Sequence, residues 1–82
     1  MNWYSNIKFA GLPVFNYREI SKKLKNLGFI TLRSGKGDHV IWGRPDGSIS
    51  AALPVTRTPN PATIRNTVVK RLGIPWDNFI RA

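Results

Sequence analysis

A small α+β fold of order α-β-β-β-α, with two helices on one face of a three-stranded antiparallel sheet, is predicted by three features of this 82-residue chain. Two capped segments carry apolar residues at helical spacing, one from Asn16 to Gly28 and one from Asn60 to Gly73. Between them lie runs rich in β-branched and aromatic residues, separated by glycine-bearing turns. Packing both helices on the same side of the sheet buries both apolar stripes at once and leaves the other face open. A chain of this length is expected to form one domain with a modest core, an irregular arm over 1–13 preceding the core over 14–82.

The arm carries Trp3, Tyr4, Ile7, Phe9 and Leu12 without a period of 2 or 3.6, so it reads as irregular chain or a short strand over apolar surface. Asn16 and Glu19 have the spacing of a capping box, and Phe15 and Ile20 that of a hydrophobic staple, so a helix starts near Asn16. Ile20, Leu24 and Leu27 form its buried stripe, Arg18, Lys22 and Lys25 a basic one, and Gly28 ends it. Strands follow over Phe29–Arg33 and His39–Trp42, joined by the loop Ser34–Asp38. Arg44-Pro45-Asp46-Gly47 is a turn with proline preset for its second position, and Ser48–Val55 is the third strand. Asn60 caps the next helix, Pro61 opens it, Ile64, Val68 and Leu72 are its apolar stripe, and Gly73 stops it. Pro75 opens a last short turn or helix through Trp76, Phe79 and Ile80, whose aromatics are expected to pin it to the core.

Composition narrows the partners. Thirteen Lys and Arg against four Asp and Glu give a formal charge of +9, which points to an anionic polymer. No apolar run approaches the roughly 20 residues that span a bilayer, and no basic amphipathic helix stands alone, so a membrane partner is not expected. The absence of cysteine removes disulfide frameworks and thiolate metal sites and is compatible with a cytoplasmic protein. Met1 to Pro13 has one lysine and no continuous apolar core, unlike a secretory signal.

The stretch Gly35-Lys36-Gly37-Asp38-His39-Val40-Ile41-Trp42 delivers the only histidine onto a strand. Glycines 35 and 37 permit positive φ and close backbone approach, Lys36 supplies a cation, and histidine is the side chain suited to proton transfer near neutral pH. A bland reading stands beside it: a flexible turn followed by a histidine that packs. Of the four carboxylates, Glu19, Asp46 and Asp77 have local structural uses, leaving Asp38, so metal catalysis is under-supplied and neither a metal nor another cofactor is expected. A Ser-His-acid site would have to pair His39 with the adjacent Asp38, and adjacent strand residues point to opposite faces. Metal-free RNA cleavage survives, because RNA carries its own nucleophile in the 2′-hydroxyl. A single histidine serves as general base toward that hydroxyl or as general acid toward the leaving 5′ oxygen. Lys36, Arg33 and Arg44 are the candidate phosphate contacts, with Gly37 of the loop and Lys22 of the helical basic stripe.

An ordered set of short pieces resembles a known family. Lys23-Leu24-Lys25-Asn26-Leu27-Gly28-Phe29, Gly37-Asp38-His39, Pro45-Asp46-Gly47, Leu53-Pro54-Val55 and Arg71-Leu72-Gly73-Ile74 together look like the HicA toxins of HicAB toxin-antitoxin modules, over Asn16 to Ile80. The resemblance implies a double-stranded-RNA-binding-domain-like fold, mRNA interferase activity and a HicB-type antitoxin that masks the active site. The catalytic histidine of the family's Gly-Ser-His motif falls on His39, and its glycine on Gly37. Asp38 stands where the family has serine, the loop Ser34–Gly37 is one residue longer, and the arm through Pro13 is additional. Two further readings remain at this point: an RNA-binding module of the same fold without catalysis, and a protein whose task is to bind an acidic partner.

Overall fold

The computed structural model describes residues 8–9 and 11–82. Strands β1 (Lys8–Phe9) and β2 (Leu12–Pro13) pair antiparallel, with Phe9 opposite Leu12. The described part of the expected arm is therefore a short hairpin; the expectations for Trp3, Tyr4 and Ile7 lie outside the described residues.

Helix α1 spans Tyr17–Asn26 and begins as the local signals dictate. Asn16 Oδ1 accepts from Glu19 N at 2.8 Å, and Glu19 Oε1 accepts from Asn16 N at 2.9 Å, so two otherwise orphaned donors are satisfied. Phe15 and Ile20 are both buried in the same core cluster. At the other end Gly28 takes a φ of +88°, a region an L side chain resists. Gly28 N then donates to Lys25 O at 3.0 Å and Phe29 N to Leu24 O at 2.9 Å, the paired bonds of a Schellman stop.

The sheet has the order β3 (Ile30–Ser34), β4 (His39–Gly43), β5 (Ser50–Pro54), all antiparallel. Relative to the expectation the first strand is shifted by one residue, the second runs one residue further, to Gly43, and the third is trimmed at both ends. The third is the shortest against its predicted span because Ser48 and Ile49 are used by the turn: Asp46 Oδ1 accepts from Ser48 N at 2.9 Å and Arg44 N donates to Ile49 O at 2.9 Å. The same bond from Ser48 holds the Asp46 carboxyl below its ordinary pKa. Alternation assigns the faces. Trp42, Ala51 and Leu53 are buried and Val40 packs against them, whereas His39, Ala52 and Ser50 are exposed on the other side. The register shifts between Thr31 and Arg33, leaving Leu32 as the extra residue of a bulge. Gly43 makes room for it, since a Cβ there would stand 2.8 Å from Leu32 Cδ1 and collide with the Ile49 carbonyl.

The second helical segment departs from one continuous α-helix. Helix α2 (Pro61–Asn66), capped by Asn60 Oδ1 accepting from Ala62 N and Thr63 N, passes into a π-helical turn over Thr67–Arg71. In an α-helix each step of four residues overshoots a full turn by about 40°, so Ile64, Val68 and Leu72 would drift round the helix. A wider turn between Val68 and Leu72, closed by Leu72 N on Thr67 O, brings the third residue back. All three are buried. Helix α3 (Trp76–Arg81) is held as expected, with Phe79 wholly buried and stacked on Trp76 at 5.3 Å between ring centroids. Lys23 Nζ fastens it further, donating to Ile80 O at 2.7 Å and Ala82 O at 3.2 Å. Residues from α1, β4, β5, α2, the π-turn and α3 thus form one core on one face of the sheet. Among the described residues, no helix is long and apolar enough to cross a membrane.

Candidate active site

The β3–β4 turn is built to hold His39. Gly35 N donates to His39 O at 2.8 Å, and His39 N donates to Lys36 O at 3.3 Å, closing a tight reversal in which Gly37 takes a φ of +63°. The glycine pair therefore splits its duties, Gly37 supplying the left-handed turn and Gly35 the close approach. On the far side Val55 N donates to Asp38 O at 2.6 Å, tying the residue before His39 to the end of β5. The His39 backbone is thereby held from both neighbouring strands while its ring stays exposed. Its Nδ1 lies 3.2 Å from the Lys36 carbonyl oxygen.

Register decides which predicted site residues share this surface. Arg33 is opposite Ile41, and Gly35 is bonded to His39, so Arg33 and His39 project from the same side of the sheet as diagonal neighbours, within reach of long side chains. Lys36, Gly37 and Asp38 form the exposed turn beside them. His39, Arg33, Lys36 and Gly37 are thus brought together.

Arg44 and Lys22 are not. Arg44 follows β4 at the end opposite His39, about 17 Å along the strand at roughly 3.4 Å per residue. It is tied to the fold, its Nη1 donating to Leu27 O at 3.3 Å and its guanidinium lying 4.4 Å from the Phe29 ring centroid. Lys22 is exposed on α1, across the sheet from the His39 side, in a shallow groove with Phe15, Glu19, Lys23 and Ala82. Of the thirteen basic residues, eight sit on helical elements: Arg18, Lys22, Lys23, Lys25, Arg65, Lys70, Arg71 and Arg81.

Sequence patterning missed one feature of the site's rim. A groove of about 350 Å³ runs along the β3 edge, lined by Tyr17, Thr31, Leu32, Arg33, Ser34 and Val40. Thr31 is opposite Trp42 and Ser34 opposite Val40, which puts both hydroxyls on the helix side of the sheet, where both residues stay exposed. The Tyr17 hydroxyl accepts from Trp42 Nε1 at 3.1 Å and keeps its own proton to donate. The signal in the sequence was the hydroxyl of Thr31 within the first strand and of Ser34 directly after it. Among the described residues no three His, Cys, Asp or Glu side chains gather where they could hold a metal ion.

The chain matches no protein-family model, no curated protein and no solved structure.

Proposed function

We propose that this chain is a metal-independent endoribonuclease of the mRNA-interferase type, with the double-stranded-RNA-binding-domain-like variety of α+β fold. On this reading it is the toxin component of a HicAB-like module, acts on mRNA in the cytoplasm, and is masked by a HicB-type antitoxin. The observation that carries the chemistry is the exposed His39 ring at a hydrogen-bonded turn beside Lys36 and Arg33. His39 takes the proton of a ribose 2′-hydroxyl as that oxygen attacks the adjacent phosphorus. The phosphorus–O5′ bond breaks, giving a 2′,3′-cyclic phosphate, and the departing 5′ oxygen receives a proton to become a hydroxyl. Lys36 and Arg33 stabilise the negative charge that gathers on the phosphoryl oxygens.

The test is cleavage of a single-stranded RNA in excess EDTA. Wild type is expected to cut, a substrate with 2′-deoxyribose at the scissile position is expected to survive, and His39→Ala is expected to abolish cleavage while folding and RNA affinity persist. Equal cutting by wild type and His39→Ala would sink the proposal.

One observation favours a second reading, a non-catalytic RNA-binding module. Most of the basic residues lie on helices rather than beside His39, and phosphate contacts there need no proton-transfer group. That reading expects salt-sensitive RNA binding with no cleavage by any variant.

A further inference from the structure

One oxygen receives two donors from the same residue. The Lys36 carbonyl lies 3.3 Å from the His39 backbone nitrogen and 3.2 Å from its ring Nδ1. A carbonyl only accepts, so the ring nitrogen facing it carries the proton, and the neutral imidazole keeps its lone pair on Nε2. Histidine in water prefers the opposite tautomer, so the turn imposes a choice.

We infer that the β3–β4 turn presets His39 as an Nε2 base, with Gly35 as the positioning residue that lets the ring sit against the Lys36 carbonyl. The catalytic meaning rests on the ribonuclease reading above; the tautomer does not. Gly35 is not among the glycines with positive φ, so its value lies in space and not in backbone freedom. A Cβ at Gly35 would stand 3.1 Å from His39 O, 3.2 Å from His39 Cβ and 3.3 Å from His39 C. His39 has little room to retreat, because Val55 N holds the Asp38 carbonyl from the other strand. An added methyl therefore pushes on the base of the His39 side chain and tilts the ring away from Lys36.

The arrangement also settles the order of proton transfers. Nε2 begins unprotonated, so the first event is removal of the 2′-hydroxyl proton and not donation to the leaving group. The ring becomes imidazolium, and its Nδ1–H bond to the carbonyl becomes charge-assisted and stronger. That contact binds the charged ring of the transition state better than the neutral ring of the ground state, which is the condition for accelerating a step. The departing 5′ oxygen, on the opposite side of phosphorus, takes its proton from water, and the imidazolium returns its own proton to solvent, so one histidine closes the cycle.

The experiment is a two-bond proton–nitrogen correlation spectrum of histidine-labelled protein, recorded alkaline of the ring's titration. The expected spectrum has its unprotonated nitrogen coupled to both ring carbon-bound protons, which identifies Nε2. In Gly35→Ala, shown to be folded by circular dichroism, the expected result is a mixture of tautomers. With it kcat for RNA cleavage should fall about ten- to a hundredfold at unchanged KM, the scale of a displaced catalytic group. Nδ1 as the unprotonated nitrogen in wild type overturns the inference. So does a folded Gly35→Ala that keeps the wild-type tautomer and kcat, or that changes one without the other. If wild type cuts no RNA at all, the ribonuclease reading fails and the spectrum alone decides the tautomer.

Discussion

The Arg44 guanidinium covers the Phe29 ring at 4.4 Å from its centroid while Nη1 donates to the Leu27 carbonyl at 3.3 Å. One side chain from the end of β4 therefore secures the stop of α1 and shields a buried aromatic ring. Replacing it should register as stability and not as chemistry. Arg44→Ala is expected to lower stability by about 1 kcal/mol and to leave RNA cleavage per folded molecule within about a factor of two, measured by urea unfolding alongside an oligonucleotide assay. A large loss of kcat with stability intact would place Arg44 in the reaction.

Arg33 is expected to behave in the opposite way, because it projects from the same side of the sheet as His39. Arg33→Ala should reduce kcat about tenfold, less than a fully enclosed charge-stabilising donor loses because Arg33 is exposed. Lys22→Ala, across the sheet, should change kcat by less than about twofold and lower affinity slightly through the loss of one phosphate-attracting charge. Single-turnover cleavage of an RNA with one scissile site separates the two effects.

Gly43→Ala tests the bulge. The methyl would have to displace Leu32 Cδ1, Ser50 Cβ and the Ile49 carbonyl that Arg44 N binds. Backbone on one side and a packed methyl on the other leave no inexpensive relaxation, so a destabilisation of about 2 kcal/mol or more is expected. Urea midpoints of the two proteins check it, and an unchanged midpoint would mean that the strand carries no such crowding.

Lys23 gives the pH dependence. Burial against the Phe15 and Phe79 rings holds its pKa below the ordinary lysine value, with Glu19 pulling the other way. In the window between the lowered folded value and the unfolded one, the unfolded chain binds more protons, so stability rises with pH there and is flat below it. The side chain is partly exposed, so the slope is small. Denaturant unfolding of wild type and Lys23→Met from pH 8 upward should show the difference growing in favour of wild type through that window; a difference that shrinks would reverse the sign.

Local chemistry was legible in the sequence because its partners lie three or four residues away. Asn16 with Glu19, Asn60 with Pro61, and the glycines at 28 and 73 each mark a helix end without knowledge of the rest of the chain. What escaped depends on residues distant in sequence. Arg44 reads as a surface cation until Leu27 and Phe29 are brought beneath it. Lys23 reads as part of a basic helix until α3 lays its last carbonyls against it. The bulge at Leu32 exists because Gly43 lacks a side chain, and the π-turn because three apolar residues must meet one core. In the site, His39 and Gly37 stood out as the lone histidine and a turn glycine. Lys36 and Arg33 were named with them, but strand register alone shows that Arg33 shares the His39 surface while Arg44 and Lys22 do not. The rim of Tyr17, Thr31 and Ser34 emerges only where the start of α1 meets the β3 edge.

Three exposed apolar side chains have a consequence for the chain in solution. Ile30, opposite Gly43, is 42 % exposed, and Ile49 and Val55 at the margins of the sheet are 37 % and 42 % exposed. Two copies meeting on these surfaces would gain contact, and what holds them apart is mutual repulsion between bodies of charge +9. That repulsion reaches about 8 Å in physiological salt and about 3 Å in molar salt. Concentrated salt is therefore the wrong storage buffer for this molecule: it silences the repulsion and leaves these exposed apolar side chains for neighbouring copies to find.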